Sequence, residues 1–90
     1  MLKLVPSTRF KRDLKLAQKR SLDLGLLRSV INALAAEEPL APKFRDHDLT
    51  GAYAGFRECH IQPDWLLIYR IERDELELFL FRTGSHSDLF

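Results

Sequence analysis

His47, His60, Asp64, Arg82 and His86 all lie in the second half of this 90-residue chain, each at or near the end of a segment with strand-like patterning. The stretch Phe56 to Ile71, FRECHIQPDWLLIYRI, reads as two strands joined by a short turn at Pro63, with His60 just before it and Asp64 just after. These two residues form a candidate proton-handling pair at the mouth of a hairpin. If neighbouring strand ends converge there, one rim carries imidazoles, a carboxylate and a guanidinium. Phosphodiester cleavage in RNA needs this set: a base for the ribose 2′-OH, an acid for the leaving 5′-oxygen, and a cation for the charge growing on phosphorus. Histidine titrates near neutrality and suits both proton roles, while the planar fork of arginine matches phosphate oxygens.

Taken singly, each residue also has a plain structural reading. A lone strand histidine is ordinarily a satisfied structural residue, Asp64 is a favoured turn residue, and Trp65 opens an apolar strand. Other chemistries fit less well. A zinc site built from His47, His60 and His86 with Asp64 would need spacings of thirteen and twenty-six residues, which match no compact ligand motif. Cys59 alternates to the strand face opposite His60, which argues against a thiol nucleophile. There is no phosphate-binding loop and no dinucleotide fingerprint. No metal and no cofactor are expected, because RNA supplies its own nucleophile.

Composition bounds the setting. With 46% hydrophobic and 30% charged residues, the chain is of ordinary globular type and long enough for one domain spanning residues 1–90. The longest apolar run, Trp65 to Tyr69, is far too short to span a bilayer, and MLKLVPSTRF lacks a signal-peptide core. A single cysteine excludes an internal disulfide. A cytoplasmic protein without membrane contact is expected. The net charge of +1 conceals an asymmetry: the first twenty residues hold seven Lys/Arg against Asp13 alone. A basic face of that kind suits an anionic partner such as nucleic acid.

The patterning predicts an α+β domain of order β-α-α-β-β-β, with a two-helix hairpin on one face of a small, mainly antiparallel sheet. Leu2 to Val5 reads as a strand ending at Pro6, and Ser7 or Thr8 as a helix cap. Phe10, Leu14 and Ala17 form an apolar stripe on a helix whose other faces carry Lys11, Arg12, Lys15 and Lys19. The pattern breaks around Ser21 to Gly25, then Leu27, Val30, Ile31 and Leu34 mark a second helix that Pro39 stops. Pro39 to Ala54 reads as a long connection carrying His47, a length that is often functional. Strands are expected at Phe56 to Ile61, Trp65 to Ile71 and Glu75 to Phe81, with Arg73-Asp74 as a tight turn. The Trp65 strand is apolar enough to be central and buried on both faces. A glycine turn and short tail, RTGSHSDLF, end the chain.

At these residues the sequence resembles the YafQ-like toxins of the RelE/ParE superfamily. The resemblance runs through FRDHDLTGAYAGFRECHIQPDWLLIYRI, FRTGSHSDLF and the basic KRDLKLAQKR stretch. The elements H-x-L-x-G, H-x-x-x-D-W and R-T-G-S-H occur in the family's order and at about its spacing. The resemblance implies a RelE-like fold and a bacterial type II toxin that cleaves mRNA in the ribosomal A site. It also implies a cognate antitoxin, of ribbon-helix-helix type, that blocks the site and, as a complex, contacts operator DNA. By residue match, His47, His60, Asp64, Arg82 and His86 are the functional set, and Phe90 supports substrate positioning. Trp65 matches too, either as a substrate contact or as a core residue. Basic helix residues Lys11, Arg12, Lys15 and Lys19 then become rRNA phosphate contacts. His86 is expected as general acid and Arg82 as phosphate contact, with Asp64 and either His47 or His60 on the base side. One departure is Asp48, an added carboxylate that would favour the charged form of His47. Two rival readings remain: a ParE-like binder of DNA gyrase, and an inactive antitoxin partner and co-repressor.

Overall fold

The computed structural model describes Met1–Phe90. Its elements are β1 (Lys3–Pro6), α1 (Thr8–Lys19), α2 (Leu24–Ala35), β2 (His47–Asp48), β3 (Arg57–Gln62), β4 (Trp65–Glu72), β5 (Glu77–Gly84) and α3 (His86–Leu89). The strands form one sheet of order β1-β5-β4-β3-β2. All neighbours run antiparallel except β1, which the two helices carry across to lie parallel to β5. The expected α+β arrangement is therefore present. No helix is long and apolar enough to cross a membrane.

Local chemistry explains the boundaries. Ser7 is the cap of α1, since its hydroxyl oxygen accepts from the Phe10 N–H at 2.9 Å and its hydroxyl donates to the Phe81 carbonyl at 2.6 Å. Asp23 caps α2 by accepting from the Leu26 N–H at 3.2 Å. The interhelical break falls at Ser21, whose φ of 58° is left-handed. Gly25 thus lies inside the first turn of α2 rather than at a helix boundary.

One face of the sheet packs against the helices. Phe10 and Ala17 of α1 and Leu27, Val30, Ile31 and Leu34 of α2 meet Cys59, Ile61, Trp65, Leu67, Tyr69, Leu78 and Leu80. The five residues Trp65 to Tyr69 of β4 are all buried, as their unbroken apolar run predicts. On the opposite face Leu66, Ile68 and Leu89 form a second cluster, flanked by Leu49, Tyr53, Phe56 and Phe81. The 39–54 connection and the C-terminal tail therefore cover this second face and deliver His47 and His86 to the same end of the sheet.

Three features differ from the sequence expectation. Leu76 falls inside the strand expected from Glu75 to Phe81 but is exposed in the β4–β5 turn with a φ of 53°, so of Leu76, Leu78 and Leu80 only the last two reach the core. The connection is not structureless: Pro42–Phe44 and Gly51–Tyr53 form 3-10 turns, and β2 pairs with β3 through His47↔Glu58 and Asp48↔Arg57. Finally, β5 runs on to Gly84 instead of ending at Phe81, and the tail forms α3. A bulge opposite Ile68/Tyr69 leaves Phe81 unpaired and shifts the alternation by one. Thr83 rather than Arg82 then follows Leu78 and Leu80 into the core.

Candidate active site

Two hairpin mouths and one short helix assemble the site. His86 is the first residue of α3, and its backbone N–H is one of the donors that a helix N-terminus leaves without an internal partner. Asp64 in the β3–β4 turn supplies the acceptor. Its Oδ1 takes the His86 backbone N–H at 3.0 Å and the His86 Nδ1 at 2.7 Å. These two bonds, the backbone one first, hold the Asp64 carboxyl below its ordinary pKa. An ionised carboxylate only accepts, so Nδ1 of His86 carries the hydrogen and Nε2 is the nitrogen free for proton transfer.

His60 lies beside this pair, its ring centroid 5.7 Å from that of His86 and 6.4 Å from that of His47. The three expected histidines thus form a row. Between His47 and His60 sits a residue to which the sequence pattern assigned no role. The side chain of Glu58 is 7% exposed, and its Oε1 lies 3.3 Å from His60 Nε2 and 3.6 Å from His47 Nε2. A buried carboxylate requires charged or donating neighbours, and the two imidazoles provide them. The signal available in the sequence is the spacing Glu58-x-His60, which puts both on one strand face. On the other side His47 Nδ1 contacts the Arg45 carbonyl at 2.6 Å, leaving Nε2 toward Glu58.

Asp64 therefore pairs with His86, not with His60 across the turn and not with His47. The carboxylate near those two rings is Glu58. Asp48 does not serve His47 either; it binds Arg57 Nη1 at 2.6 Å. Arg57 also holds Asp46 Oδ2 at 3.3 Å, and Tyr69 donates its hydroxyl to Asp46, so the segment leading into His47 is anchored to β3 and β4. Cys59 is fully buried and its thiol is pushed up to about 12 by that burial, which leaves no thiolate for chemistry.

Arg82 does not lie open at the rim. Its guanidinium makes a two-point contact with Asp13 of α1, Nε to Oδ2 at 2.8 Å and Nη2 to Oδ1 at 3.1 Å, and Asp13 also accepts from the Thr83 N–H. The single acidic residue of the basic N-terminal stretch is thus the clamp that fastens α1 to β5. Trp65 is 2% exposed and lies in the helix-side core. Its indole N–H donates to Thr83 Oγ1 at 2.9 Å, so the ring anchors the residue next to Asp64 and meets no solvent. Phe90 is exposed and rests edge-on against Tyr53, with centroids 5.3 Å apart. Lys11, Arg12, Lys15 and Lys19 are exposed along α1. That helix runs up to the site, where Arg20 grips Asp88 of α3 at 2.6 Å.

The Arg20 contact, a capping box with Ser85 and the Gly84 backbone together seat α3. Gly84 lets α3 sit close, since a Cβ there would stand 3.0 Å from Asp88. The Arg20 bond, then the Ser85 N–H, lower the Asp88 pKa well below the usual carboxylate range. A folded pKa below the unfolded value stabilises above about pH 4 and is lost as pH falls toward the folded value. Asp88→Asn should therefore lower the melting temperature at pH 7, and the gap from wild type should begin to narrow below about pH 4 and shrink further as pH falls. A gap as wide at pH 2.5 as at pH 7 would contradict this assignment.

For a metal ion, the donor atoms of Glu58, His60 and His86 lie within 4.8 Å of one another, a grouping that two imidazoles and a carboxylate could use for a divalent cation. Asp64 is not in this group, in contrast to the zinc set that sequence spacing argued against.

Comparison with known proteins bears on this geometry. A family model described as the bacterial toxin YafQ of a type II toxin-antitoxin system matches residues 2–90. The chain belongs to the YafQ family. It is 41% identical over 85 residues to the mRNA interferase toxin YafQ of Escherichia coli K12, covering 93% of this chain and 90% of that YafQ. Among solved structures, a metal-bound toxin from Helicobacter pylori superposes with a TM-score of 0.95 at 52% identity, covering 100% of both chains. The YafQ chain of the E. coli DinJ-YafQ complex superposes with a TM-score of 0.89 at 37% identity, covering 100% of this chain and 99% of that one.

Proposed function

We propose that this member of the YafQ family is a ribosome-dependent mRNA endoribonuclease that cuts in the A site, inhibits translation and is neutralised by a cognate antitoxin. The observation that carries the reading is the juxtaposition of the His47–Glu58–His60 group with the oriented His86–Asp64 pair. Two proton-handling centres side by side are what in-line attack by a ribose 2′-OH requires. His47 or His60, backed by Glu58, takes the 2′-OH proton, and the 2′-oxygen bonds to phosphorus. The bond from phosphorus to the 5′-oxygen breaks as His86 delivers a proton from Nε2 to that oxygen. The products are a 2′,3′-cyclic phosphate and a 5′-hydroxyl, so the nucleophile comes from the substrate and the reaction is metal-free. A divalent ion held by Glu58, His60 and His86 would compete with proton transfer for these side chains.

The supporting parts take the remaining roles. Arg82, held by Asp13, fastens α1 to β5 behind the site, and Phe90 offers an exposed ring for an unpaired base. The basic row Lys11, Arg12, Lys15 and Lys19 meets rRNA phosphates without reading sequence. A DinJ-like antitoxin, of ribbon-helix-helix type, would occlude the rim and carry the complex to operator DNA. Mapping mRNA 5′ ends after brief induction tests the whole reading. Ends with 5′-hydroxyls clustered within translated frames are expected. Intact mRNA together with inhibited DNA supercoiling would overturn it in favour of a gyrase binder.

A further inference from the structure

We infer that a cavity of about 580 Å³ beside the histidine row is the subsite for the nucleotide on the leaving side of the scissile bond, with Lys43 and Arg45 on its 3′-phosphate and Gln62 at its base edge. This rests on the RNA-cleaving reading above.

Position comes first. His60 and His86 line it together with Lys43 and Arg45, and Leu26 of α2 adds an apolar patch. His86 is the acid for the leaving 5′-oxygen, so the nucleotide bearing that oxygen lies against His86. The volume lies within the range of about 300–1,000 Å³ that holds small ligands, enough for one nucleotide.

Charge makes the stronger argument. No carboxylate lines the cavity. Elsewhere near the site the arginines are engaged: Arg82 with Asp13, Arg57 with Asp46 and Asp48, and Arg20 with Asp88. Lys43 and Arg45 are exposed and form no ion pair; the Lys43 ammonium lies 5.2 Å from the centroid of the Phe44 ring. Two uncompensated cations and two imidazoles, in a hollow whose lining holds no carboxylate, form an anion site. Arg45 also holds a left-handed backbone, φ 49° and ψ 44°, a conformation uncommon for a residue with a side chain and kept where the surroundings require it. Its carbonyl meanwhile fixes His47, so one residue serves both the row and the cavity wall.

The test is a nuclear magnetic resonance titration of the full chain with adenosine 3′,5′-bisphosphate, a single nucleotide with a phosphate on each side of its ribose. Saturable shifts are expected at residues 43–45, 60–62 and 86. Lys43→Gln combined with Arg45→Gln should weaken binding by about tenfold or more and flatten its dependence on salt. Arg45→Lys should restore much of the loss, and the charge-matched pair Lys3→Gln with Arg28→Gln should bind as wild type does. On ribosome-bound mRNA the 43/45 variant should raise KM more than it lowers kcat. Shifts confined to α1, no saturable shift at millimolar probe, or wild-type affinity in the 43/45 variant would each overturn the subsite. Wild-type protein that binds the probe but never cuts mRNA would sink the nuclease reading and leave the anion site standing. Cleavage without probe binding would do the reverse.

Discussion

His86→Ala is expected to lower mRNA cleavage by about 10²- to 10⁴-fold, the range over which a positioned general acid contributes, and to abolish growth arrest. The folded state should hardly change. The side chain is 54% exposed and packs into neither apolar cluster, and the Asp64 bond to the backbone N–H of residue 86 does not need the imidazole. Affinity for the antitoxin, measured by calorimetry, should therefore stay within a few-fold of wild type. Asp64→Asn should give a smaller loss, since an amide can still position Nδ1 but no longer stabilises the imidazolium. A well-folded His86→Ala protein that still cuts mRNA at the wild-type rate would remove His86 from the mechanism.

Trp65→Ala should have the largest effect on stability. The ring is 2% exposed in the helix-side core, and truncating a buried aromatic costs about 3–5 kcal/mol. For a domain of this size that corresponds to roughly 4–8 °C in melting temperature per kcal/mol. It is a large share of the ~5–15 kcal/mol that a domain has in total. Trp65→Phe separates packing from hydrogen bonding. It keeps most of the apolar volume but deprives Thr83 Oγ1 of the indole donor, while that hydroxyl still donates to the Leu66 carbonyl at 2.6 Å. A loss of about 1–3 kcal/mol is expected. Thermal unfolding measures both. Trp65→Ala should lose toxicity and antitoxin binding together, whereas His86→Ala loses toxicity alone. A Trp65→Ala protein that melts with wild type but fails to cut RNA would make the ring a substrate contact after all.

The elements that rest on local pattern were readable in the chain. The buried β4 follows from five consecutive apolar residues. The faces of α1 and α2 follow from apolar spacings of three and four. The shared face of Glu58 and His60 follows from strand alternation. The αα-hairpin on a small sheet follows from those elements because each has one apolar face to cover. Where local signals were weak, context decided. Leu76 alternates with Leu78 and Leu80 in sequence, yet the left-handed backbone of the turn takes it out of the strand. Residues 82–84 carry a glycine that suggested a turn, yet pairing with Leu66 to Ile68 keeps them in β5.

The site divides in the same way. The sequence by itself determined which groups are available near a hairpin mouth: three imidazoles, a turn aspartate and an arginine, with a basic helix upstream. Residue type and period-two alternation suffice for that. Tertiary structure alone decided the pairing. The free N–H at the start of α3 draws Asp64 to His86 rather than to His60, and burial against β4 places Glu58 between His60 and His47. A one-residue bulge at Phe81 shifts Arg82 out of the core register, where Asp13, sixty-nine residues away in sequence, clamps it. Each outcome depends on contacts between segments distant in the chain, and no local pattern encodes which donor will stand opposite which acceptor.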